Sequence, residues 1–128
     1  FPEDKMAWRP MEGVRSVAEV LALVASEFNG FVPSGIGGKP GQPREEMQAL
    51  AKSTNKAELI AAINKTFEHT KAQFAAADPA TLTGKRAVMG QQRSLNDVAL
   101  MIGGDLHEHL GQLIAYARMN KVVPPWSK

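Results

Sequence analysis

The sequence predicts an all-α protein, most simply an antiparallel helical bundle. Three segments begin with a helix-capping pattern, and apolar residues at helical spacing follow each of them. The length of 128 residues is enough for one domain with its own core and not comfortably enough for two. We therefore expect a single domain over residues 1–128, and we predict no pair of strands in it.

The first predicted helix begins at Ser16. In Ser16-Val-Ala-Glu19 the serine oxygen accepts a free backbone N–H and the glutamate reaches back, which is a capping box. The apolar stripe that follows consists of Val17, Val20, Leu21, Val24, Phe28 and Phe31. The glycine and proline content of residues 30–43 predicts a loop, and residues 44–52 are expected to form a short helix after it.

The second predicted helix begins at Asn55, in the related pattern Asn55-Lys-Ala-Glu58, and stops at Asp78-Pro79. Its apolar stripe consists of Ile60, Ile63, Phe67 and Phe74. Residues 79–93 form a second connection. The third helix, about residues 95–120, follows the capping pattern Ser94-Leu-Asn-Asp97, and Pro124-Pro125 prevents it from continuing.

Composition and charge narrow the classes of function. The net charge is +2, with 15 basic and 13 acidic residues. The basic residues are scattered, whereas nucleic-acid binding favours a clustered basic stripe with aromatic residues between the charges. No apolar run approaches the roughly 20 residues that span a bilayer. The absence of cysteine excludes disulfides, thiolate metal sites and catalysis by a protein thiol. We expect neither a nucleic-acid nor a membrane partner.

The chain begins at Phe1 and not at a methionine, so we expect an N-terminal piece to precede it. Only three long helices are evident, whereas a bundle normally has four. Either a helix before Phe1 or the segment 44–52 would complete the bundle. A cytoplasmic location is favoured, and export behind a cleaved signal peptide is the alternative.

The segment DLHEHLGQ, residues 105–112, carries the chemistry of the last helix. At about 100° per residue, one narrow sector of that helix contains Val98, Ile102, Asp105, His109, Gln112 and Tyr116. His107 lies about 160° from His109 by the same geometry, so the two histidines cannot share a ligand. We expect Asp105 and His109 to face one cavity and His107 to point elsewhere.

Two interpretations of Asp105 and His109 are open at this point. Burying an unpaired carboxylate is costly, so Asp105 needs a partner, which is either His109 or an arginine of another helix. The alternative partner is a metal ion, because a spacing of four residues suits two ligands of one cation. Gln112 and Tyr116 would then orient substrate or a water at the metal, or else their polar tips cap the core.

Three further groups of residues have an expected position but no predicted part in the site. His69 lies off the apolar stripe of the second helix and is expected to face water. Trp8 and Trp126 are expected to pack over the ends of the bundle. The glycines on the helix face away from Asp105 indicate either close approach of another backbone or mere tolerance; they are Gly103, Gly104 and Gly111.

Two stretches of the sequence resemble one family. The pattern Asp105-x-x-x-His109-x-Gly-Gln112, followed by IAYARMNKVVPPWS, resembles the last helix of the DinB/YfiT-like proteins. The segment PEDKMAWRPMEGVRSVAEVLALVA, residues 2–25, resembles the second helix of that family and the loop before it. The resemblance implies an antiparallel four-helix bundle whose first helix precedes Phe1. Members of the family often dimerise, which makes a homodimer one expectation for this chain.

The same resemblance implies a divalent metal, commonly zinc or nickel, held by three side chains between helices. One ligand is a histidine of the second helix, and two ligands four residues apart, usually both histidine, come from the last helix. By position, that last pair corresponds to Asp105 and His109. This chain departs from the pattern at Leu23, which stands where the family has the histidine and cannot ligate a metal. Asp105 also replaces a histidine, although aspartate is a legitimate ligand.

Glu27 can complete the altered site. It lies one turn after Leu23 and on nearly the same side of the helix. A set of Glu27, Asp105 and His109 has one imidazole and two carboxylates, which suits manganese, iron or magnesium better than zinc. The alternative interpretation is a solvated glutamate at the margin of the apolar stripe.

Two functions follow from these alternatives. The resemblance implies a metal-dependent hydrolase or thiol S-transferase that uses Zn, Ni, Mn or Fe and acts on a small-molecule or thiol substrate. The alternative is a non-catalytic bundle without a metal, in which Asp105 and His109 form a buried polar pair that specifies packing. Its role would then be ligand binding or dimerisation.

Overall fold

In a computed structural model of the protein, which describes residues 1–82 and 84–127, the chain is mostly helical. The first long helix has three continuous pieces, namely α1 (Val17–Ser26), a π-helical turn (Glu27–Phe31) and α2 (Val32–Gly35). It is followed by α3 (Arg44–Leu50), α4 (Lys56–Ala76) and α5 (Leu95–Met119), and a hairpin of β1 (Lys85–Val88) and β2 (Gln91–Ser94) joins α4 to α5. The predicted helical bundle is confirmed.

Local hydrogen bonds specify where the helices begin. Ser16 Oγ accepts the Glu19 N–H at 3.2 Å, and the Ser16 N–H donates to Glu19 Oε2 at 2.6 Å. Ser94 and Asp97 form the same reciprocal pair at the start of α5. Asn55 caps α4 by accepting a backbone N–H through its side-chain oxygen. All three predicted helix starts are confirmed. They could be predicted from the sequence because each capping pair lies within four consecutive residues.

The first helix does not end at the predicted loop. Pro33 has no N–H and so cannot donate to the Asn29 carbonyl four residues before it. The Val32 N–H donates to the Glu27 carbonyl five residues back, which widens the turn. The helix continues through Pro33 to Gly35. The prediction of a loop over residues 30–43 was wrong for residues 30–35, because Pro33 is accommodated by a π-helical turn and does not stop the helix. Residues 36–43 form the predicted connection to α3.

The hairpin corrects the prediction that the chain contains no strand pair. The strands pair antiparallel, with Val88 opposite Gln91, and Met89 and Gly90 form the turn between them. Both turn residues have positive φ, 51° and 75°, as a two-residue type I′ turn requires. Met-Gly lacks the Asn or Asp that typically precedes glycine in this turn, which is why the sequence signal was weak.

The core-facing side of α4 also differs from the prediction. Three of the four residues in the predicted stripe are more than two-fifths exposed: Ile60, Phe67 and Phe74. The buried side chains of α4 are Leu59, Thr66 and Thr70. Both threonine hydroxyls donate to backbone carbonyls. Because a satisfied hydroxyl can be buried at little cost, the two threonines share the inner face with Leu59, while Phe67 and Phe74 lie outside.

Two apolar clusters form the core. The larger joins α1, α3, α4 and α5 and includes Val17, Val20, Ala25, Leu50, Leu59 and Tyr116. The smaller joins α2, β1 and α5 and contains Val32, Val88, Val98 and Ile102. Gly35 permits the close packing of α2 on α5, because a Cβ there would lie 2.2 Å from Val98 Cγ1. Along α5, Leu106 packs on the smaller cluster and Leu113 on the larger, so His109 lies at their junction.

The remaining structural predictions concern the two tryptophans and the glycines of α5, and their outcomes differ. Trp8 packs edge-on against Tyr116, with ring centroids 5.3 Å apart, whereas Trp126 is 63% exposed and does not cover the bundle end. Within the described chain, no other segment packs closely against three glycines of α5, so close approach of another backbone does not account for them: Gly103, Gly104 and Gly111. None of the helices in residues 1–82 and 84–127 has the length and hydrophobicity that a membrane crossing requires.

Candidate metal site

Glu27, Asp105 and His109 converge between the π-helical turn and α5. His109 Nε2 lies 3.2 Å from Glu27 Oε1 and 3.8 Å from Asp105 Oδ2. One candidate ligand atom from each residue lies within 4.8 Å of the other two. The His109 and Glu27 side chains are 9% and 14% exposed, and that of Asp105 is 39% exposed. The predicted site residues are therefore brought together, and Glu27 is not a solvated margin residue.

The turn-by-turn geometry of α5 accounts for two of these positions. Four residues separate Asp105 from His109, so both side chains project from one side of the helix. His109 is buried on the same sector as Ile102 and Tyr116. His107 is exposed. The sector that helical periodicity predicted is the one that faces the interior.

The π-helical turn holds Glu27, and it is itself held by two neighbouring segments. The Phe28 carbonyl accepts a hydrogen bond from Thr70 Oγ1 of α4. The Asn29 carbonyl accepts the Gly41 N–H at 3.2 Å. The Asn29 side chain donates to the Gln42 carbonyl at 3.1 Å and accepts the Gln42 N–H at 2.7 Å. These bonds satisfy the two carbonyls that the widened turn and Pro33 leave without a helical donor.

The electrostatic environment disfavours the charged form of Glu27. Burial raises the pKa of the Glu27 carboxyl, and the negative charge of Asp105 raises the pKa further. His109 acts in the opposite direction, through its charge and its hydrogen bond, without cancelling the effect on this pKa. Two carboxylates held this close repel each other, and a cation between them would remove the repulsion.

One buried polar atom tests whether the residues fit a divalent cation. Among the described residues, Glu27 Oε2 has no hydrogen-bond partner. His109 Nδ1 also has none, but the ring nitrogen that faces the two carboxylates is Nε2. An unsatisfied buried polar atom costs about 1–3 kcal/mol, and an ion bound by the Glu27 carboxylate would satisfy Oε2. One imidazole and two carboxylates are legitimate ligands for a borderline or hard divalent ion. The donor set therefore fits such an ion.

A cavity of about 470 Å³ opens onto Glu27 and Asp105, whereas His109 is not part of its lining. Its walls include the acidic residues Glu27, Asp105 and Glu108 and the apolar residues Phe31, Met89 and Met101. The volume is in the range of small-molecule sites, about 300–1,000 Å³. Sequence reasoning missed the apolar wall, because Met89 belongs to the unrecognised hairpin and nothing local ties it to α5.

The polar groups of Gln112 and Tyr116 are engaged with each other and with the segment before α1. Gln112 Nε2 donates to Tyr116 Oη at 2.8 Å, and Tyr116 Oη donates to the Arg15 carbonyl at 2.9 Å. The Tyr116 ring also contacts Trp8. This arrangement is the core-capping role considered above, and it ties the end of α5 to the start of α1.

Two further residues lie away from the candidate metal site: His69, and Leu23, which stands in the position of the family's histidine. His69 is half-buried, and its Nε2 lies 2.8 Å from the Lys39 carbonyl, so the prediction that it faces water was wrong. Leu23 lines a different cavity, together with Arg9 and Arg15, and does not line the cavity at Glu27.

Comparison with known proteins gives one result that bears on identity. A family model described as the DinB superfamily matches residues 1–113 of the chain. The matched range includes Glu27, Asp105, His109 and Gln112. No curated protein and no solved structure matches the chain.

Proposed function

The chain belongs to the DinB superfamily, and from this premise we propose that it binds one divalent cation through Glu27, Asp105 and His109 and acts as a metal-dependent enzyme. The convergence of the three side chains, with ligand atoms within 4.8 Å of one another, carries the proposal. The unpartnered Glu27 Oε2 supports it, since this oxygen is buried within the described structure without a hydrogen bond.

The donor set favours manganese or iron over zinc or nickel. Two of the three ligands are carboxylates, and oxygen-rich sites prefer harder ions. Zinc and nickel bind better to sites with several imidazoles. Ligands must be deprotonated to bind, so the raised pKa of Glu27 makes the ion compete with a proton. Metal affinity should accordingly increase with pH until the Glu27 carboxyl is ionised.

The chemistry that fits the site is hydrolysis or thiol S-transfer. A divalent cation supplies a nucleophile at neutral pH by lowering the pKa of a water or a thiol. The protein's own contribution is positional. Asp105 and His109 are held one turn apart on α5, and the apolar wall of Phe31, Met89 and Met101 can exclude water and bind a nonpolar part of a substrate.

Titration calorimetry of Mn²⁺, Fe²⁺, Zn²⁺ and Ni²⁺ into chelator-treated protein without a histidine tag tests the proposal. One ion per chain is expected. Glu27→Gln, Asp105→Asn and His109→Gln should each weaken binding about tenfold or more, because even residues that only support ligands typically contribute that much. Glu108→Gln is the matched control, since Glu108 lies on α5 and lines the same cavity. Equal weakening by the control would refute the ligand assignment.

The alternative function is a non-catalytic bundle with a vestigial site. The presence of Leu23 where the family resemblance expects a histidine favours it. If none of the four ions binds while His109→Gln still destabilises the fold, the three side chains form a packing network, and the enzyme proposal fails.

A further inference from the structure

Another cavity borders α1 and α3 and is distinct from the one at Asp105. It has a volume of about 650 Å³ and is lined by residues 9–26 on one side and by residues 44–51 on the other. Its basic wall consists of Arg9, Arg15 and Arg44, and its apolar surface includes Val14, Leu23 and Met47. A basic wall beside an apolar surface suits a ligand that carries both an anionic group and a nonpolar body.

The charge of this cavity is only partly neutralised. Among its described lining residues Glu19 is the one acid, and it pairs with Arg9 at 3.0 Å. The Ser16 N–H and Arg9 both lower the pKa of the Glu19 carboxyl, so it stays ionised beside Arg9. In the part of the chain that the structure describes, the side chains of Arg15 and Arg44 have no ion pair or hydrogen bond. Two positive charges are therefore left for a ligand.

A third cavity adjoins both the arginine cavity and the candidate metal site. It has a volume of about 320 Å³ and shares Ser26, Arg44 and Met47 with the arginine cavity. It shares Glu27 and Phe31 with the cavity at the candidate metal site. The three cavities therefore adjoin one another along α1 and the π-helical turn, and we call this series of cavities the groove.

We propose that this groove binds an elongated substrate through an oxyanion, a carboxylate or a phosphate, held by Arg15 and Arg44. The nonpolar body of the substrate lies over Leu23 and Met47, and its reactive end reaches Glu27. Arginine suits this role because its planar guanidinium donates two parallel hydrogen bonds to a carboxylate or phosphate. The reactive end rests on the proposed function, whereas the oxyanion site requires no metal.

The test uses three probes with the same alkyl chain and different head groups: octyl phosphate, octanoate and octanol. Each is titrated into chelator-treated ¹⁵N-labelled protein and followed by amide chemical shifts. Both anions should bind about tenfold or more tightly than octanol, as expected for charge-assisted hydrogen bonds. The double variant Arg15→Gln/Arg44→Gln should lose that preference and keep its affinity for octanol. The order of the two anions identifies phosphate or carboxylate as the preferred group.

Arg118→Gln is the matched control, because Arg118 is an exposed arginine that lines a different cavity. An equal loss of anion preference in this control, or equal binding of all three probes, would overturn the inference. It would also be overturned by sedimentation showing a dimer that the Arg15→Gln/Arg44→Gln change dissociates, since a second copy would then occupy the groove. Metal uptake without anion preference refutes only the groove, and anion preference without metal uptake refutes only the metal proposal.

Discussion

Replacing His109 by alanine removes the central contact of the candidate site. The His109 side chain is 9% exposed, and its Nε2 lies 3.2 Å from Glu27 Oε1. In the variant, the Glu27 carboxyl loses this partner in a place where burial already raises its pKa. The substitution also leaves space at the junction of the two core clusters, between Leu106 and Leu113.

The size of the effect follows from these contacts. A hydrogen bond to a charged group contributes about 1.5–3 kcal/mol, and an unsatisfied buried group costs a similar amount. Protonation of Glu27 limits the loss, because a neutral carboxyl tolerates burial better than a charged one. We therefore expect His109→Ala to lower the free energy of unfolding by about 1.5–3 kcal/mol. His107→Ala, two residues away and exposed, should stay within about 0.5 kcal/mol of wild type.

Urea unfolding of chelator-treated proteins, followed by circular dichroism, measures both values. Chelation removes any contribution of a bound ion, so the comparison reports on the side chains alone. Equal losses in the two variants would show that the helix face has been assigned wrongly. A silent His109→Ala variant would show that Glu27 and His109 do not interact in solution.

Three further predictions concern the same site. Because the pKa of the Glu27 carboxyl is raised, the folded state binds the carboxyl proton more tightly than the unfolded state does. Metal-free wild type should therefore lose stability relative to Glu27→Gln as the pH rises above 4.5. A difference in urea unfolding that does not change with pH would contradict this. Thr70→Val should weaken metal binding by loosening the π-helical turn while Thr70→Ser preserves it, because only a hydroxyl can donate to the Phe28 carbonyl; equal affinities in calorimetry would exclude that role. Leu23→His should leave the order of affinities for the four ions unchanged, because residue 23 lines the cavity of Arg9 and Arg15 and not the one at Glu27. A shift of the preference towards zinc and nickel would show that an imidazole at residue 23 reaches the site, as the positional correspondence with the family requires.

The amino-acid sequence determined the features of this protein that depend on near neighbours in the chain. Ser16, Asn55 and Ser94 begin helices because their capping partners lie within four consecutive residues. The convergence of Asp105 and His109 is equally local, since the geometry of one helix turns both side chains to the same side. These parts were predictable without knowledge of any tertiary contact.

Only the tertiary structure decided the role of Glu27 and the surroundings of the site. Glu27 contacts His109, which lies 82 residues further along the chain. The sequence around Glu27 does not show whether a glutamate at the margin of an apolar stripe is buried or exposed to solvent. The π-helical turn depends on a hydroxyl that Thr70 contributes from α4. The same bond explains why α4 buries Thr70, because a carbonyl from a distant segment satisfies its hydroxyl. Hydrophobic periodicity depends only on the residue types along one helix, so it carries no information about that carbonyl.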